Sequence, residues 1–144
     1  MKNYVYLAGP MEDCTRDHMI SWREDASKLL SNFEIESLDP TRRVSFHDEL
    51  YLGETHTPVQ STCRRIFKMD MQDIANSTVV LADVRRSSGR GTGTSMELMF
   101  AHMKNKIIIL WADKDDLIHP FYESIYTEKY FDLEECVDAI TYYY

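Results

Sequence analysis

Glycine is scarce in this chain, 5 of 144 residues, so where it falls is informative. Three of the five, Gly89, Gly91 and Gly93, crowd into one loop, and glycine is the residue that lets backbone turn tightly or approach a ligand closely. Cysteine is also sparse: Cys14, Cys63 and Cys136 are odd in number and widely spaced, which excludes a disulfide framework and a zinc-type spacing and fits reduced thiols. Basic charge is short, with 16 Lys and Arg against 24 Asp and Glu and a net charge of -8. That balance excludes a protein built to hold a nucleic acid polymer, because such binding neutralises many phosphates with Lys and Arg. A small substrate in a local pocket stays open. No apolar run approaches the roughly 20 residues that cross a bilayer, and the opening MKNYVYLAGP breaks at Gly9-Pro10 too soon for a signal peptide. The expectation is a cytoplasmic protein with no membrane contact. No repeat, low-complexity segment or linker divides the chain, so residues 1–144 read as a single domain.

Local patterns alternate between strand and helix. Residues 4–8 are a short apolar run stopped by Gly9-Pro10, and residues 16–30 place Met19, Ile20, Trp22, Ala26, Leu29 and Leu30 near helical spacing. Residues 33–38 predict a second strand closed by Asp39-Pro40, followed by a polar stretch, 41–61, of the length common in lids and binding loops. Residues 62–75 predict a helix with Ile66, Phe67, Met69, Met71 and Ile74 inward. A buried strand at 78–82, a helix at 95–103, a strand at 106–111, a weaker strand within 124–131 and a helix at 133–140 complete the pattern. Continuous apolar strands alternating with helices imply an α/β protein with a parallel sheet covered on both faces. Ligands of such sheets bind outside the carboxyl ends of the strands, which gathers residues 6–11, 39–40, 83–93 and 112–116.

The loop between 83 and 95 is neither of the two common phosphate motifs. Thr94 stands where the dinucleotide fingerprint has its third glycine, and no lysine follows Gly93 as a P-loop requires. What remains is a glycine loop running into Thr94 or Ser95, either able to cap a helix, with Glu97 in the expected first turn. Two readings of Glu97 stand side by side. A first-turn acid favours the helix dipole; a carboxylate flanked by Met96, Leu98, Met99, Phe100 and Ala101 at a ligand-binding edge is a candidate nucleophile or base. His18, His47, His56, His102 and His119 are scattered without a metal pattern, and the reading calls for no metal and no cofactor.

Three segments, VYLAGPM near the start, DMQDIANSTVVLADV in the middle and GTSMELMFAH after it, resemble in order and spacing the nucleoside 2-deoxyribosyltransferase family, which includes nucleoside 5'-monophosphate N-glycosidases. LDP at 38–40 and HPFYE at 119–123 are similar to further segments of that superfamily. The resemblance implies a flavodoxin-like, Rossmann-like sandwich with a five-stranded parallel sheet flanked by helices. It implies an enzyme that cleaves the bond between a base and C1' of 2-deoxyribose, with a small nucleoside or nucleotide as substrate. Glu97, in GTSMEL, takes the place of the nucleophile; Asp70, in DMQDI, that of the residue assisting protonation of the leaving base; Tyr6, in VYLAGP, that of the tyrosine orienting the nucleophile. Asp73 is a second acid near Asp70, and the resemblance favours Asp70. Gly91 stands where some members carry an acid that holds the base. The chemistry fits the residue types, since a retaining route needs one carboxylate at C1' and one acid for the leaving group.

The strand-end rule and the glycine loop together nominate substrate contacts: Gly9, Pro10 and Met11 after the first strand, Asp39 after the second, and Asp83 after the third. Ser87, Ser88, Gly91, Gly93 and Ser95 follow in the loop. Arg85, Arg86 and Arg90 there are either solvated charge or partners for a 5'-phosphate. The first favours base exchange between deoxynucleosides, the second hydrolysis of nucleoside 5'-monophosphates to free base and sugar phosphate. A nucleotide-binding sensor without turnover is the reading from another class. The terminal TYYY either packs on the surface or, as in members of the resembled family, completes a neighbour's pocket, and a homo-oligomer, dimer or higher, is the expectation.

Overall fold

In the computed structural model, which describes residues 3–11, 14–43, 60–86 and 91–144, β1 (Tyr4–Ala8) leads into α1 (Arg16–Ser31), β2 (Glu36–Leu38) and a 3₁₀ turn (Pro40–Arg43). Then follow α2 (Gln60–Asn76), β3 (Val79–Asp83), α3 (Thr92–Met103), β4 (Ile107–Trp111), α4 (Pro120–Ile125), β5 (Glu128–Tyr130) and α5 (Leu133–Thr141). The five strands form one sheet, parallel throughout, in the order β2-β1-β3-β4-β5. This is the flavodoxin-like order, and the α/β expectation holds.

The central strands are apolar at nearly every position because both faces of the sheet are covered. Side chains alternate across the pleat. Val5, Leu7, Val79, Leu81 and Ile109 pack with Trp22, Ala26 and Leu30 of α1 and with Leu133, Cys136, Val137 and Ile140 of α5. Tyr6, Ala8, Val80, Ala82, Ile108 and Leu110 pack on the other face with Ile74 of α2 and with Leu98 and Ala101 of α3. Ala8 and Ala82 are register partners on that second face, so the sheet is thinly upholstered where the carboxyl ends of β1 and β3 meet.

Several elements depart from the sequence expectation. β2 begins at Glu36 rather than residue 33, because residues 33–35 close α1 instead. The amides of Glu34 and Ile35 donate to the carbonyls of Ser31 and Leu30, and Glu34 has φ 59°, which is a Schellman closure with a non-glycine residue in the left-handed position. On α2 the buried residues are Ile66, Asp70, Asp73 and Ile74, with Met71 partly buried against the core, whereas Phe67 is 47% exposed. The hydrophobic count had placed Phe67 inside, but two acids occupy that stripe. α3 starts at Thr92, with Gly91 as its N-cap, and its outer side leaves Met96 58% exposed, with Met99 and Met103 also exposed. The short α4 was not anticipated: six residues without a buried side chain carry no period to read, and the helix rests on the His119 cap and Pro120. Among the described residues no helix is long and apolar enough to cross a membrane. Residues 44–59 of the polar stretch, Ser87, Ser88, Gly89 and Arg90 lie outside the described residues.

Candidate active site

From β1 the chain moves to β2 on one side and then returns to β3 on the other, so the carboxyl ends of β1 and β3 flank the topological switch point where such sheets bind ligands. The backbone leaving β1 there is held from behind. A Cβ on Gly9 would lie 2.8 Å from the Trp22 ring and 3.2 Å from an Arg23 nitrogen, so only glycine fits. Arg23, fully buried, donates through Nε to the Leu7 carbonyl at 3.3 Å, through Nη1 to Met19 at 2.6 Å and through Nη2 to Gly9 at 2.8 Å. It lies 3.8 Å from Asp39 Oδ1. Pro10 and Met11 continue the buried segment.

Tyr6 points from β1 toward α2 and α3 and is fully buried. Its hydroxyl donates to Glu97 Oε2. Burial raises the Tyr6 phenol well above its ordinary value, and the negative charges of Glu97 and Asp70 raise it further, so Tyr6 is a neutral donor at any working pH. Glu97 sits one turn deeper in α3 than the sequence suggested, because the helix begins at Thr92, and the first turn carries no acid. The helix-dipole reading loses its premise. Burial pushes the Glu97 carboxyl up to about 8; the Tyr6 hydrogen bond and the Arg23 charge oppose that rise, and the Asp70 charge adds to it.

Asp70 reaches the same place from α2. Burial raises it to about 7, opposed chiefly by Arg43 and helped by Asp73. Arg43, at the end of the 3₁₀ turn, donates from Nη1 to Asp70 Oδ1 at 3.1 Å and from Nη2 to Asp73 Oδ2 at 2.9 Å. Arg42 adds a 2.6 Å contact to the same Asp73 oxygen. Tyr6, Glu97 and Asp70 are thus one electrostatically coupled group, drawn from β1, α3 and α2. Two neighbouring carboxylates raised toward neutrality can divide the roles of ionised nucleophile and protonated acid.

The other nominated residues take varied positions. Asp39 Oδ1 accepts from the Thr41 amide at 2.8 Å and hydroxyl at 2.6 Å, capping the 3₁₀ turn. Asp83 is fully buried and accepts from Arg85 Nε at 2.9 Å and Nη2 at 3.0 Å, while the same guanidinium stacks 3.5 Å above the Trp111 ring. Arg86 is engaged too, its guanidinium on Asp116 and its amide 2.8 Å from Asp113 Oδ2. Ser95 Oγ donates to the Gly91 carbonyl at 2.7 Å and is 2.7 Å from the Tyr122 hydroxyl, and a Cβ on Gly91 would sit 2.8 Å from that hydroxyl. Gly93 faces open space. At the chain end, Tyr143 and Tyr144 donate to Glu128 and to the Tyr4 carbonyl of their own chain.

Sequence reasoning passed over Arg23, Arg42 and Arg43. Arg23 had a signal: it occupies a core position in the stripe Met19, Trp22, Arg23, Ala26, Leu30, all buried, where a charge demands a partner. Arg43 had none, since its partners lie 27 and 30 residues away.

Residues 5–136 match the family model described as nucleoside 2-deoxyribosyltransferase. In structure the chain is similar to a 2-deoxyribosyltransferase from the psychrotolerant bacterium Bacillus psychrosaccharolyticus, with 17% identity and a TM-score of 0.72 over 94% of this chain and 90% of that one. It is also similar to a CMP N-glycosidase from Clostridium botulinum, with 15% identity and a TM-score of 0.55 over 96% of this chain and 98% of that one. At these identities the likeness is one of fold. No curated protein matches the sequence.

Proposed function

The chain belongs to the nucleoside 2-deoxyribosyltransferase family, and from that premise we propose that it cleaves the N-glycosidic bond of a 2-deoxyribonucleoside and passes the deoxyribosyl group to an acceptor base through an ester on Glu97. The observation that carries the reading is the Tyr6–Glu97 hydrogen bond at the β1/β3 switch point, with Asp70 coupled to both. In the reactive form the proton shared by the two carboxyls is on Asp70 and Glu97 is ionised: Glu97 attacks C1' while Asp70 gives its proton to the departing base, and the acceptor base reverses these steps on the other side of the cycle. Tyr6 holds one Glu97 oxygen and leaves the other for the sugar. Loss of the base develops positive charge on the sugar, which the Glu97 carboxylate stabilises.

Transfer stands ahead of monophosphate hydrolysis because the described arginines of the glycine loop are committed within the chain, Arg85 to Asp83 and Arg86 to Asp116. A 5'-phosphate would have to compete with those carboxylates for the same donors. The deciding experiment follows base exchange into deoxynucleosides and base release from deoxynucleoside monophosphates on one preparation. Exchange that disappears in Glu97→Ala, with a deoxyribosyl adduct on Glu97 in the wild type by mass spectrometry, is the expected result. Monophosphate hydrolysis without exchange reverses the order of the two readings, and full activity in Glu97→Ala removes the nucleophile.

A further inference from the structure

Asp70 carries two oxygens, and the structure treats them differently. Oδ1 receives Arg43 Nη1 at 3.1 Å, whereas among the described residues Oδ2 accepts no hydrogen bond. We propose that Arg43 is a positioning residue for Asp70: by pinning Oδ1 it confines the transferable proton to Oδ2, and its charge receives the carboxylate left when that proton has gone. The inference rests on the reading of Asp70 as the acid for the leaving base.

A guanidinium has donors only, so the oxygen it touches cannot direct a proton at it. The other arm of the fork is anchored, because Nη2 holds Asp73 Oδ2 at 2.9 Å and Arg42 grips the same oxygen at 2.6 Å. The turn that presents both arginines is itself closed on Asp39, whose carboxylate takes the Thr41 amide and whose carbonyl takes Arg42 Nη1 at 2.7 Å. Side-chain exposures of 12% for Arg43 and Asp70 and 10% for Asp73 leave little water to replace these contacts. The charged and titratable groups acting on this site are Asp73 from α2 itself, Arg42 and Arg43 from the turn, Glu97 from α3, Tyr6 from β1 and Arg23 from α1. Arg43 is the strongest of the charges felt by Asp70.

In the step, the Oδ2 proton moves to a ring atom of the base. The C1'–N bond breaks with its electron pair remaining on the base, which leaves neutral, and a Glu97 oxygen supplies the pair for the new C1'–O bond. Asp70 ends as a carboxylate beside Arg43.

The test compares pH profiles of kcat/KM for base exchange in wild type, R43A, R43K, D70N and D70N/R43A, with folding checked by thermal melting. R43Q, neutral and similar in length, replaces R43A wherever the alanine chain does not fold. In R43A the alkaline limb moves up by about 1–3 pH units, as a carboxyl does on losing an adjacent cation, and turnover falls about tenfold through lost orientation. R43K restores the limb through its charge but not the turnover, because an ammonium lacks the fork. In the D70N background R43A costs nothing further. An unmoved limb, or an equal loss with and without Asp70, overturns the proposal. Wild-type turnover in D70N instead removes Asp70 as the acid. The role of Arg43 is then read without turnover, by carboxyl-carbon NMR titration of Asp70: an upward shift in R43A supports its control of the proton, and no shift overturns it.

Discussion

Gly9 shows how tightly single residues are bound to the site. Its missing Cβ is occupied by the edge of Trp22 at 2.8 Å, and behind that ring the buried Arg23 holds the Gly9 carbonyl. Trp22 is itself packed in the core against the Trp111 ring at 6.1 Å, so it cannot withdraw. Gly9→Ala therefore overpacks a rigid corner and should cost about 1–3 kcal/mol, measured by urea unfolding, with a matching loss of turnover because the backbone beside Tyr6 moves. An alanine chain as stable as wild type would show that the corner yields. Thr94 is a quieter case. Its hydroxyl is buried, one turn ahead of Glu97, with no hydrogen-bond partner among the described residues. An orphaned hydroxyl is a burden on the fold, so Thr94→Val should leave the melting temperature unchanged or raise it.

Elements here end on specific closures rather than on loss of hydrophobic pattern. α1 and α3 both finish with a Schellman arrangement: Glu34 at φ 59° and Asn105 at φ 56° take the left-handed position, and Ile35 and Lys106 bond back to Leu30 and Ala101. Asparagine tolerates that conformation, whereas glutamate pays about 1 kcal/mol for it. Glu34→Gly should accordingly stabilise the chain by about 1 kcal/mol, visible as a rise in melting temperature with no change in activity, since Glu34 lies at the amino end of β2, away from the strand ends that carry the site. A fall in melting temperature would mean that Glu34 contributes contacts that outweigh its backbone strain. The same closure explains why the apolar Phe33 and Ile35 did not extend β2: their amides are already used by the helix before them.

Across the whole molecule the cost of the site is a burial cost carried by an otherwise ordinary fold. Glu97 is raised to about 8 and Asp70 to about 7, each chiefly by burial. A carboxyl whose folded value lies above its unfolded value of about 4 binds a proton that the unfolded chain releases. Its contribution is therefore fully present below about pH 4 and lost as pH rises through about 8. Glu97→Gln, which keeps an acceptor for Tyr6, should gain on the wild type by roughly 1–3 kcal/mol at about pH 9 and show little difference at about pH 4. Denaturant unfolding of both chains across that range measures it, and a difference independent of pH would mean that burial does not raise the Glu97 carboxyl.

By itself the sequence determined the class of the fold and which residues gather at the carboxyl ends of its strands. Continuous apolar runs in β1, β3 and β4 can only belong to strands covered on both sides, and the strand-end rule put Tyr6, Gly9, Asp83 and the glycine loop on one edge. The assignment of Glu97, Asp70 and Tyr6 came with the family resemblance, not from spacing. Only the tertiary structure decided the rest. Whether Glu97 sits in a first or second turn depends on where α3 begins, and it begins at Thr92 after Gly91, a position where the Tyr122 hydroxyl leaves no room for a side chain. Whether Asp70 faces in and Phe67 out depends on what the sheet and the 3₁₀ turn offer α2, and Arg43 offers a cation. Periodicity and propensity act over a few residues, whereas burial of a charge is decided by a partner that packing brings from far along the chain.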